Sequence, residues 1–213
     1  MQLSFAQSDR PPAPVRGEAA FFDFTAHMER LVEDIVHTVP ELAHIRTERL
    51  LICASQARHA TRHGVHARVV PLRFGQGALT HSDGKRVYAI PRIQYDGREV
   101  LYLIYFYLPR FLDNTSLEAK LATVCHELYH ISPQCDGDLR RFPGRAYAHG
   151  HSRRQYHAQV KMLAAAYLER RNGDGLGPAW FLEKDFWALQ REQGPVLFRH
   201  VPLPKVRVIH QVD

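Results

Sequence analysis

The chain has 213 residues, 45% of them hydrophobic, with 28 Lys and Arg against 22 Asp and Glu and a formal net charge of +6. That length and apolar content suit one globular domain with a sizeable core. No run of about 18 apolar residues and no basic-then-apolar start occurs, which argues against a membrane span and a secretion signal. Three widely spaced cysteines, Cys53, Cys125 and Cys135, argue against a disulfide framework and for a reducing, cytoplasmic setting.

Residues 1–20 carry Arg10-Pro11-Pro12-Ala13-Pro14 and read as a flexible leader, with residues 21–213 as a single domain. Its core is expected over about 46–170, and a C-terminal helix and short strands over 178–213. Phe21, Phe24, Met28, Leu31, Val32 and Ile35 recur at helical spacing, predicting a helix from Phe21 to Val36 that Pro40 ends. Arg46 to Ala54 reads as a buried strand. Val65 to Phe74 reads as a second, with Pro71 marking an edge or a bulge. Arg86 to Tyr95 and Arg98 to Tyr107 flank Asp96-Gly97, a strong hairpin signal. The outgoing strand is apolar at nearly every position, so it is expected at the sheet centre, covered on both faces.

The next helix carries the chemistry. Thr115-Ser116-Leu117-Glu118 reads as a capping box, and Leu117, Leu121, Val124, Leu128 and Ile131 follow as one apolar stripe. Ser132-Pro133 stops the helix. Near its end stands His126-Glu127-Leu128-Tyr129-His130, a complete H-E-x-x-H. Residues four apart share a helix face, so both imidazoles can close on one metal ion. Glu127, offset around the helix, can take a proton from a metal-activated water. Those are the parts a zinc hydrolase needs. With 14 histidines in the chain, a chance match must be weighed, and the core-facing helix is the context that speaks for the metal reading.

A catalytic zinc site takes three protein ligands and keeps one position open. Residues 132–151 form a long irregular segment with Asp136, Asp138, Arg140, Arg141, Arg145, Tyr147, His149 and His151, and segments of that kind are often functional. Ser152-Arg153-Arg154-Gln155 reads as a second capping box, opening a helix to about Arg170 with Tyr156, Val160, Leu163 and Tyr167 buried. His149, His151 and His157 lie 19, 21 and 27 residues beyond His130. His151, next to the helix start, ranks first as third ligand, then His149, then His157. Asp136 and Asp138 are candidates to hydrogen-bond a ligand histidine, although an Asp-Gly-Asp turn is the simpler reading. Tyr147 and Tyr156 are candidate oxyanion donors, with a core role favoured for Tyr156. His59, His63 and His66 read as a polar loop. Beyond a turn-rich break at residues 172–178, Phe181 to Gln190 is expected to be helical, and Val196–Phe198 and Val206–Ile209 to be short strands.

The basic balance permits nucleic-acid contact, and Arg140, Arg141, Arg145, Arg153 and Arg154 cluster near the motif in sequence. An arginine-rich chain without a dominant basic tract also reads as an ordinary solvated surface.

The motif helix, preceded by an aromatic strand and followed by a His-Gly segment opening a helix, resembles the zincin metallopeptidases. It is most similar to the small SprT-like and phage metallopeptidase families, over roughly Arg86 to Tyr167. The resemblance implies an α+β fold with a minimal zincin-like core, a small twisted, mostly antiparallel sheet with the motif helix and further helices packed on it. It further implies Zn²⁺ as cofactor, Glu127 as general base, and a protein or peptide substrate extended beside an edge strand near Val87–Ile90 or Val65–Phe74. Neither the metzincin continuation of the motif nor a four-cysteine zinc ribbon is present. The alternative function is a catalytically silent, metal-binding domain that binds DNA or a protein partner.

Overall fold

The computed structural model describes residues 2–5, 21–57, 64–113, 115–142, 153–171 and 175–211. Strand β1 (Gln2–Phe5) opens the chain, and the rest of the expected leader, residues 6–20, lies outside the described residues. After β2 (Phe22–Asp23) comes helix α1 (Phe24–Thr38). The helix starts three residues later than its apolar spacing suggests. Phe22 and Asp23 are drawn into a short parallel ladder, and the Asp23 carboxylate caps the helix by accepting the Ala26 N–H at 2.9 Å. Phe24, Met28, Leu31, Val32 and Ile35 form its buried face, as expected.

Thr47–Arg49 form a 3-10 turn, so the strand expected from Arg46 begins later, as β3 (Leu50–Gln56). β4 (Ala67–Pro71) is the middle of the run expected over Val65–Phe74, and it is an edge strand, as Pro71 suggested. β5 (Thr80–Ser82), β6 (Arg86–Ala89), β7 (Arg92–Tyr95), β8 (Arg98–Val100) and β9 (Tyr102–Leu108) follow.

The expected long hairpin is only partly correct. Asp96-Gly97 does turn β7 into β8, but each arm is split. Pro91, which has no N–H to give a ladder, separates β6 from β7, and β6 pairs with β5 and with a later strand. At Leu101 the outgoing arm changes partners. The Leu101 N–H donates to Arg49 O at 2.8 Å and its carbonyl accepts the Leu72 N–H at 3.0 Å, which carries β9 into another sheet.

α2 (Leu117–Tyr129) carries the motif, and α3 (Arg153–Arg171) packs beside it. The helix expected over Phe181 to Gln190 is two pieces. A 3-10 segment (Gly177–Glu183) gives way to α4 (Phe186–Gln193), because Asp185 accepts the Ala188 N–H at 2.7 Å and caps a new start. β10 (Val196–Leu197) and β11 (Arg207–Gln211) close the chain.

Four small sheets result, in the orders β1-β7-β8, β10-β2, β11-β6-β5 and β3-β9-β4. Together with the helices they make an α+β fold, as expected. In the last sheet β3 runs parallel and β4 antiparallel to the central β9. Tyr102, Ile104 and Phe106 of β9 face the core built by α1, α2 and α3, while Leu103 and Tyr105 face a second cluster with Leu51, Cys53, Leu72, Val100 and Val201. Burial on both faces explains why β9 reads as apolar at every position.

Lys120, on α2, is buried, and its ammonium donates to the carbonyls of Leu182 and Lys184, both at 2.8 Å. This ties the 3-10 segment to the motif helix. Burial holds the Lys120 ammonium below its ordinary pKa, against the opposing pull of Asp185 and Asp113.

Candidate metal centre

The motif helix begins at Ser116, whose hydroxyl accepts the Ala119 N–H at 3.3 Å. The cap is one residue later than the expected box at Thr115. Leu121, Val124, Cys125 and Leu128 anchor the apolar face, and His130 is the last residue in helical conformation. The rigid helix therefore sets the relation between His126 and His130. Their Nε2 atoms lie 3.1 Å apart, with the rings at 82°. Two ligand nitrogens at roughly 2.0–2.1 Å from a tetrahedral zinc lie about 3.3 Å apart, so this pair is spaced to share one ion.

Glu127 is 7% exposed. Its Oε2 accepts the backbone N–H of Val69, on β4, at 2.7 Å. Burial pushes the Glu127 carboxyl up to about 7, against the pull of the Val69 N–H and of Arg68. Sequence reasoning named the Val65–Phe74 edge but not the contact of Val69 with Glu127 or the influence of Arg68 on it. Pro71 hinted that β4 is an edge, but nothing local announces which of its peptide groups reaches the motif.

Tyr156 closes the other side. Its ring stacks on His130 with centroids 5.2 Å apart and meets His126 edge-on at 5.0 Å. Its hydroxyl donates to His126 O at 3.2 Å, which fits the core role favoured for it over oxyanion binding. The neighbouring His157 is exposed, with its ring 5.9 Å from that of His126 and nearly parallel to it. The third-ranked ligand candidate thus lies beside the pair. His149, His151, Tyr147 and Arg145 fall outside the described residues, as do His59 and His63. Among the described residues no group of three or more His, Cys, Asp or Glu is placed to hold a metal ion.

Residues 132–142 are folded back on the end of α2. The Arg140 N–H donates to His130 O at 2.6 Å, and its guanidinium donates to Tyr129 O at 2.8 Å and sits over the Tyr129 ring. A cation there also meets the negative end of the helix dipole. Asp136 accepts the Ser132 hydroxyl at 2.6 Å and the Asp138 N–H at 3.1 Å. Asp138 accepts the Gln76 N–H and pairs with Arg141. Both carboxylates are thus spent on the turn, the simpler of the two readings of Asp136-Gly137-Asp138. Gly137 has φ +94°, and a Cβ there would come within 2.5 Å of Arg73 Cγ, so the turn needs glycine.

Of the arginines grouped near the motif in sequence, Arg140 and Arg141 are engaged with the chain itself, Arg154 is exposed on α3, and the Arg153 side chain is outside the described set. A cavity of about 340 Å³ walled by Glu29, Val32, Tyr95, Arg98 and Arg199 includes none of the motif residues. No helix among the described residues is long and apolar enough to cross a membrane.

Residues 22–171, most of the chain, match the family model described as "Putative phage metallopeptidase". The chain belongs to that family. No curated protein and no solved structure matches it.

Proposed function

We propose that this protein is a zinc-dependent peptidase built on a zincin-like core. The observation that carries the reading is the convergence of His126 and His130 to 3.1 Å between Nε2 atoms, with the Glu127 carboxylate on the intervening residue. Two neutral imidazoles suit zinc, and a third donor comes from the region of His151, His149 and His157. A bound Zn²⁺ supplies Lewis acidity, which makes water a nucleophile at neutral pH and polarises a carbonyl.

The chain's own residues do the rest. The Val69 N–H holds Glu127 by one oxygen, which leaves Oε1 to take the proton of the attacking water and hand it to the departing amine. The burial that raises the Glu127 carboxyl to about 7 suits a group that must both accept and give a proton near neutral pH. Tyr156 packs both ligand rings and fixes their orientation. Of the two edge strands expected to guide substrate, β4 is supported by the contact between Val69 and Glu127, and β6 is set aside because it lies between β5 and β11.

Incubation with 1,10-phenanthroline should stop hydrolysis of an unfolded protein substrate such as casein, and stoichiometric Zn²⁺ should restore it. Undiminished hydrolysis by protein shown to be metal-free would sink the reading. Salt-sensitive DNA binding with no cleavage of any protein would favour the silent-domain alternative.

A further inference from the structure

The outer edge of β4 has a definite chemistry. In an antiparallel pair, alternate residues direct their peptide groups toward the partner strand. The His66 carbonyl accepts the Tyr107 N–H at 2.9 Å, and the Leu72 N–H donates to Leu101 O at 3.0 Å, so the even-numbered positions bond inward. Ala67, Val69 and Pro71 therefore turn outward, and the Val69 N–H meets Glu127 on that side. A peptide laid along this edge meets the outward groups of Ala67 and the Val69 carbonyl, beside the general base that holds the Val69 N–H.

Side chains alternate as well. Ala67 and Val69 are buried against the core that contains α2. Arg68 stands on the opposite face, in register with Tyr105 of β9, and is exposed. The Tyr105 hydroxyl is committed to Val201 O at 3.1 Å, and Arg68 makes no ion pair among the described residues. Arg110, which donates to Val65 O at 3.2 Å, adds a second cation near the start of β4. The residue of an edge-bound peptide opposite Arg68 has its side chain on the same face, within about 5.5 Å between Cβ atoms. That residue lies one step along the ladder from the position Glu127 serves.

We infer that Arg68 is a specificity-determining residue that selects an acidic side chain, Asp or Glu, at the substrate position paired with it along β4. The inference rests on the peptidase reading and adds a substrate class to it. Among the described residues β4 pairs only with β9, and Arg68 is exposed beside its other edge.

The test uses the zinc-loaded full chain and quenched-fluorescent decapeptide libraries in which one position at a time is fixed as Glu, Gln or Lys. At one position the Glu library should be cleaved roughly three- to tenfold faster in kcat/KM than the Lys library, the size expected of a cross-strand charge pair. The preference should shrink as salt is raised. Arg68→Gln should flatten it and Arg68→Glu should reverse it, with thermal unfolding confirming that both variants fold. An unchanged Glu preference in Arg68→Glu, or no preference in the wild type, overturns the inference while leaving the peptidase reading intact. If the wild type cleaves no library, the peptidase reading fails instead. Fluorescence polarisation of the same Glu and Lys peptides on Glu127→Gln then decides the Arg68 preference separately, and equal binding of the two rejects it.

Discussion

Glu127→Gln is expected to lower peptide hydrolysis about a thousandfold while leaving the fold and the metal content unchanged. A positioned general base typically contributes 10²–10⁴-fold, and the environment of Glu127 suits the role proposed for it. It is buried, adjacent to His126, and held by the Val69 N–H at 2.7 Å. Glutamine has the same shape and keeps an acceptor oxygen for that N–H, so β4 stays docked on α2. It cannot take a proton from water. Steady-state kcat/KM measured beside zinc content and melting temperature separates the two roles. Hydrolysis within tenfold of wild type in a metal-loaded, folded variant would contradict the assignment.

Phe106→Ala is expected to cost about 3–5 kcal/mol of stability, the range for truncating a fully buried aromatic. Phe106 is completely buried on β9, the strand on which both cores rest. Its ring lies 4.7 Å from that of Phe111 and 6.0 Å from that of Phe24 on α1. Truncation leaves a cavity between the central strand and the helices that a rigid sheet cannot close. The urea midpoint should fall with little change in slope. A loss below about 1 kcal/mol would mean that the neighbouring rings collapse into the space.

The parts of this fold that were legible in the sequence are those fixed by local chemistry. The α2 stripe of Leu121, Val124 and Leu128 and the unbroken apolar run of β9 declare a core-facing helix and a strand buried on both faces. The hairpin was half legible. Asp96-Gly97 fixes the turn, but the exchange of partners at Leu101 depends on Arg49 and Leu72, far along the chain. The short ladder at Phe22–Asp23 was invisible for the same reason, since its partner β10 lies near the other end of the protein.

The site divides in the same way. The spacing of His126 and His130 and the position of Glu127 are helix geometry, readable from five residues. The docking of Val69 onto Glu127, the stacking of Tyr156 on His130 and the approach of His157 to His126 are tertiary, set by how β4 and α3 pack on α2. Lys120 gives no sign of its role in the sequence. A lysine at the start of a helix reads as solvated, yet here two backbone carbonyls of a distant segment bury it.

Counting zinc per chain by elemental analysis, in the wild type and in His126→Ala, His130→Ala and the double variant, tests the central claim most directly. About one zinc per wild-type chain and essentially none in any of the three are expected, since each lost imidazole removes a ligand that the rigid helix cannot replace. Full zinc occupancy in the double variant would contradict that claim, by showing that the metal is held by other residues.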